Sequence, residues 1–334
     1  LSLLGDLEFD DALDTFSLVM VVAIPAGIVT YALIEYLQTR RLESSTRQFD
    51  TRILVLMPVA VALNIVLGTA VASALKIPIY LDSVGTILVA ALAGPLAGAA
   101  TGFLTNVIWT YLAPAPFGSP FAVPFAVVAV VVGLLAGTFA RWGWMRPRRG
   151  SSGQRLIVGG TLSIAAVVVL VVVALQAWRA AADGGDLTPA SAETAFLILG
   201  WVAMALVLGT AIGLVYLLVR WRDLAVAYIL AAGVITGVVA AFIAAPIAAG
   251  LFGGVTGSGG DFVIAAFRQA GADLEQAVLG QSLISDPVDK VITYFVVYLI
   301  LGAMAVRTKA RFPQGEYLLP LEGDEDDAET RLPT

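Results

Sequence analysis

Asp286-Pro287-Val288-Asp289-Lys290 packs two carboxylates and an ammonium into five residues at the edge of a long apolar run. Ionisable side chains at such a position are expensive to keep there unless they are paired or do a job. Three kinds of chemistry suit them: an internal ion pair, contact with a charged ligand group, or a metal site. Two or three carboxylates without histidine are too few to define a metal site, so none is assigned. Pro287 after an acid reads as a helix start, with Asp286 as the cap and Asp289 in the first turn, where the helix dipole favours it. Lys290 is unfavourable in that turn without a partner; Asp82, Asp286, Asp289 or a ligand anion would serve. A second polar set, Tyr80, Asp82 and Ser83, precedes another apolar run, and Asn106 stands inside that run with Trp109 one turn on. Asp82-Ser83 also has the composition of a helix cap, and Tyr80 and Trp109 that of interfacial aromatics. Thr256 and Ser258 add hydroxyls within GGVTGSGGDF, which reads either as a flexible linker or as a loop whose backbone approaches a ligand.

Much other chemistry is excluded. The chain has no cysteine and no histidine, which removes thiolate nucleophiles, disulfides, histidine bases and metal sites built on those ligands. It has no phosphate-binding G-x-x-x-x-G-K-[ST] loop. No enzymatic activity, cofactor or nucleic-acid partner is indicated.

The elements that must position these residues are membrane helices. The 334 residues are 59% hydrophobic and 13% charged, with several apolar runs beyond the ~18 residues that cross a hydrocarbon core. An all-α polytopic membrane protein is expected. Spans are read at 16–37, 53–75, 121–140, 156–177, 196–219, 224–246 and 288–306. Between the second and third lies Val84–Leu112, without formal charge and broken at Gly94-Pro95. An amphipathic segment, Asp261–Ala277, should lie across the outer mouth.

Charge sorts the topology. Segments 38–55, 141–155, 220–223 and 307–311 hold fourteen of the nineteen lysines and arginines, so all four should be cytoplasmic. An even number of crossings must then separate the first from the second. Val84–Leu112 therefore makes two short crossings or a re-entrant hairpin, not one long helix. The N-terminus falls outside and the C-terminus inside, with anionic membrane lipid a natural neighbour of the arginines. The polar loops carrying Tyr80, Asp82, Ser83, Thr256 and Asp286 fall together on the outer face, which makes an outward-facing pocket the best site.

The run IPIYLDSVGTILVAALAGPLAGAATGFLTN resembles the substrate-binding S components of energy-coupling-factor (ECF) vitamin transporters, through Leu81, Asp82, Ser83, Gly94, Pro95, Gly98 and Asn106. The closing SDPVDKVITYFVVYLI block is similar to one uncharacterised subgroup. The resemblance implies a six-helix core at 53–75, 84–93, 96–112, 121–140, 224–246 and 288–306, with Gly94-Pro95 as a cytoplasmic turn. One extra N-terminal helix and a two-helix insertion bring the total to about nine spans. The chain then divides into 1–52 (extra helix and basic loop), 53–140 (first four core helices), 141–223 (basic loop and insertion), 224–312 (last two core helices) and an acidic tail, 313–334. The implied function is capture of a vitamin-like molecule from outside, for uptake driven by a transmembrane coupling subunit and two cytoplasmic ATPases. Ala60, Ala62 and Asn64 occupy the region that docks the coupling subunit in that family. Expected substrate contacts are Tyr80, Asp82, Ser83, Asn106, Trp109, Thr256, Asp286, Asp289 and Lys290. A membrane sensor or assembly module, or a self-powered transporter, is the alternative.

Overall fold

The computed structural model describes residues 15–27, 29, 33, 47–74, 79–149, 153–183, 205 and 207–320. Lys76, most of the 196–206 stretch and the acidic run beyond residue 320 lie outside them. Among the described residues every regular element is helical: α1 (Thr15–Gly27), α2 (Thr51–Gly68, prolonged by a π turn to Ala74), α3 (Val84–Ala93), α4 (Pro95–Tyr111), α5 (Ala126–Arg141), α6 (Gly153–Asp183), α7 (Val207–Arg220), α8 (Ala225–Phe252), α9 (Gly260–Gln269), α10 (Leu274–Ala303) and the single turn α11 (Val306–Lys309). By length and composition, α2, α5 with the turn before it, and α8 are apolar enough to cross a membrane.

α3 is the centre of the bundle. Nine of its ten residues are buried, and it packs against α2, α4, α5 and α10. At 1.5 Å per residue it is only ~15 Å long. So short an apolar helix is stable here because neighbours, not lipid or water, surround it. The reversal into α4 happens at Gly94, whose φ of 130° and ψ of 174° belong to a region open essentially to glycine. Pro95 then opens α4, where its missing N–H costs nothing. The long apolar run is thus two antiparallel helices. Gln48 secures the turn: its side-chain oxygen accepts the Leu96 N–H (2.9 Å), one of the orphan donors of α4. On the other side of the turn, the Gln314 N–H donates to the Leu92 carbonyl at the end of α3 (2.9 Å). Gly98 and Gly133 bring the α4 and α5 backbones into contact, leaving no room for a Cβ on either.

The described parts of the four arginine-rich segments lie at the same end of the bundle as this turn. Arg52 donates to the Arg311 carbonyl (2.7 Å), Arg146 to the Tyr317 carbonyl (3.4 Å), and the Arg148 N–H to the Asp223 carboxylate (2.9 Å). Tyr298, near the end of α10, donates its hydroxyl to the same carboxylate.

Two expectations need correction. The last long helix does not begin at Pro287, and Asp286 does not cap it. α10 begins twelve residues before Asp286, at Leu274, where the Asp273 carboxylate accepts the Gln276 N–H (2.8 Å). Pro287 sits inside the helix, depriving the Leu283 carbonyl of its usual donor. The interruption is tolerated because Gly237 of α8 packs directly against the Asp286–Pro287 backbone, where any Cβ would overlap Pro287. A buried stripe (Ala277, Val278, Gln281, Ser282, Ser285) at helical spacing keeps the added turns in place. The amphipathic segment Asp261–Ala277 is divided in two: α9 ends at Gln269, and Gly271 (φ 95°) separates it from the start of α10.

The Gly94 turn provides a test. Gly94→Ala forces a side chain into the positive-φ region and within 2.5 Å of the Gln48 side chain. It should lower stability by roughly 2 kcal/mol or more in thermal unfolding of the detergent-solubilised protein. Gly302→Ala, with open space at its Cβ, should cost nothing.

Candidate functional site

At the end of the bundle away from the arginines, α3, α4, α5, α8, α9 and α10 line a partly open cavity of about 150 Å³. Two loops flank it: 79–83, before α3, and 253–259, between α8 and α9.

The first loop is held by Asp289. This side chain is fully buried, and its Oδ1 accepts two backbone N–H groups, Tyr80 (3.0 Å) and Leu81 (2.8 Å). The convergence of successive amides on one oxygen goes with a positive φ at Leu81 (52°), uncommon for a side chain of that size. Oδ2 accepts from Lys290 Nζ at 2.6 Å. Lys290, itself 5% exposed, also donates to Ser83 Oγ (2.9 Å) and lies 3.6 Å from Asp82 Oδ1. Ser83 occupies the cap position of α3 but makes no capping bond with its side chain. Asn64 of α2 does that work from outside the helix: its Oδ1 accepts the Gly85 N–H (2.7 Å), while its Nδ2 donates to Thr86 (2.9 Å) and Thr105 (3.0 Å). One amide thereby ties α2, α3 and α4 together just below the cavity.

The second loop is organised by Asp261. Its carboxylate accepts from the Thr256 N–H (3.1 Å), the Thr256 hydroxyl (3.1 Å) and the Gly257 N–H (2.8 Å). Ser258 reaches across to the first loop, its Oγ 3.5 Å from the Tyr80 hydroxyl. Burial, and after it the negative charge of Asp286, push that hydroxyl above its ordinary pKa, so it stays protonated and able to donate.

Of the nine expected contact residues, Tyr80, Asp82, Ser83, Asn106, Trp109, Thr256, Asp286 and Lys290 all line the cavity. Asp289 does not. It stands behind the wall as the strut that joins loop to helix. Asn106 bonds back to the Gly102 carbonyl (2.9 Å). Trp109 is locked by a 2.7 Å bond from its indole N–H to the Phe117 carbonyl, so it presents a fixed ring. Phe121 and Phe125, both packed on Phe252, complete the aromatic wall.

Thr86, Thr105, Asp261, Gln281 and Ser282 also line the cavity and were not singled out in the sequence. Gln281 and Ser282 had a legible signal, their register about two turns before Asp289 on a continuous helix, which the reading of Pro287 as a helix start concealed. Thr105 had a fainter one, its place beside Asn106. The expected docking residues point differently from one another. Ala60 and Asn64 are buried within the bundle, and only Ala62 faces outward.

Among the described residues no cluster of three acidic side chains has the geometry of a metal site. Scans against protein-family models, curated proteins and solved structures returned no match.

The strut is open to test. Asp289→Asn leaves Lys290 unbalanced and weakens the acceptor of two backbone amides, a change that costs about 3–5 kcal/mol when a buried pair is broken. Hydrogen exchange should show faster exchange at the Tyr80 and Leu81 amides than at the α4–α5 contact. Unchanged exchange at both amides would remove the strut role.

Proposed function

We propose that this chain is the membrane-embedded substrate-binding subunit of an ECF-type transporter, taking a small vitamin-like molecule from outside the cell membrane. The observation that carries the reading is the polar and aromatic cavity at one end of an apolar bundle whose opposite end gathers the arginines. On the positive-inside rule the arginine end is cytoplasmic and the cavity opens outward. In this reading the chain crosses about nine times, with its N-terminus outside and its C-terminus in the cytoplasm. Residues 313–320 brace the Gly94–Pro95 turn on the cytoplasmic side, through Gln314.

The cavity suits capture rather than turnover. It offers hydrogen-bonding groups on several walls, a fixed indole and two polar loops at its rim. The proposed substrate contacts are Tyr80, Asp82, Ser83, Asn106, Trp109, Thr256, Asp286 and Lys290. Energy for uptake comes, in this reading, from a transmembrane coupling subunit and two ATPases, with Ala62 on the face of α2 free to meet a partner.

Mass spectrometry of small molecules released from the purified protein tests the proposal. A single ring-containing compound should be recovered in near-stoichiometric amount. Asn106→Leu removes a cavity amide whose one protein bond is local, and should lower occupancy about tenfold without changing the melting temperature. Recovery of no small molecule from either the isolated chain or its complex with ATPases would contradict the reading.

A further inference from the structure

Asp286 is the group in this cavity with unfinished bonding. It is 8% exposed and faces the void, yet its carboxylate has no hydrogen-bond or ion-pair partner among the described residues. The other ionisable groups lining the cavity are matched within the protein. Asp261 accepts three bonds from its own loop. Lys290 is satisfied by Asp289, Ser83 and Asp82. A buried carboxylate without donors is costly, and a ligand that supplies them recovers that cost.

Three further features point the same way. The lining carries Asp82, Asp261 and Asp286 against a single cation, Lys290, already engaged by Asp289. Carboxyl groups outnumber the cation, and a cationic ligand beside them would favour their ionised form. The walls include Trp109, Tyr80, Phe121 and Phe125, whose ring faces attract cations. Finally, a void of about 150 Å³ is the size that accepts one benzene-sized ring.

We propose that Asp286 accepts hydrogen bonds from a positively charged, N–H-bearing group on a single-ring ligand, so the site selects a cationic nitrogen-substituted ring over an anionic one. The assignment rests on the cavity being the substrate site, and it names the substrate's chemical class. Asp286 binds the cationic group, the aromatic walls hold the ring, and Asn106 meets polar substituents. Lys290 takes no part in attracting ligand charge, since its own charge is consumed by Asp289.

Three probes of one ring size separate the possibilities: benzamidine (cationic), benzyl alcohol (neutral) and benzoate (anionic), each titrated calorimetrically into the full chain in detergent. Benzamidine should bind at least tenfold more tightly than benzoate, and Asp286→Asn should abolish that preference. A melting temperature for the variant close to that of the wild type shows that it is folded. The wild-type preference for benzamidine over benzoate needs no variant and stands as its own arm. Benzoate binding as tightly as benzamidine, or an undiminished preference in Asp286→Asn, would overturn the role of Asp286 while leaving a small-molecule site in place. Binding of none of the three probes would overturn the assignment together with the reading of the cavity as a substrate site.

Discussion

One carboxylate joins the two halves of this bundle where they matter. Asp289 accepts the Tyr80 and Leu81 amides with one oxygen and the Lys290 ammonium with the other. It is the link between loop 79–83, which precedes the central helix α3, and α10, which closes the far side of the cavity. A fully buried charge is tolerable only when its hydrogen-bonding capacity is used, and here both oxygens are. The positive φ at Leu81 is the local cost of bringing two successive amides to one acceptor. Everything that faces the cavity from that side, Tyr80, Asp82 and Ser83, takes its position from this arrangement.

The rest of the scaffold supports it through close backbone contact. α3 is too short and too apolar to stand alone, and Gly85 and Gly98 admit its neighbours α2 and α4 at distances that exclude any side chain, while Gly133 and Gly137 bring α5 equally close to α4 and the turn before it. The Asn64 amide then replaces the cap that Ser83 relinquishes to Lys290. The polar groups under the cavity are therefore spent on holding helices in register, while Asn106 and Asp286 remain turned toward the void. The proposed binding role rests on that division between scaffold polarity and cavity polarity.

Much of this was legible in residue order. The glycine-proline break in an uncharged run, set between two basic segments, dictated a reversal, and Gly94 is where the chain turns. The residues Tyr80, Asp82, Asn106, Trp109 and Lys290 stood out because polar and aromatic side chains are rare beside such long apolar runs. What was hidden depended on tertiary contact. Pro287 looks like a helix start from its neighbours alone. Only the approach of Gly237 shows how a proline can lie inside α10. Asp289 looked like a ligand contact because nothing in sequence reveals that two amides some two hundred residues earlier would claim it. Asn64 looked like part of a docking face because burial of one side of α2 against Gly85 cannot be read from an alanine-rich pattern.

The central claim is that Asp289 holds loop 79–83 against α10 to form a ligand cavity between Asn106 and Asp286. An experimental density map of the protein as purified, in a lipid environment, tests it most directly. The account predicts density for a compact, single-ring molecule bounded by Trp109, Asn106 and Asp286, with the Asp289 carboxylate on the Tyr80 and Leu81 amides. Loop 79–83 detached from Asp289, with bound density elsewhere or the cavity filled by side chains, would contradict it.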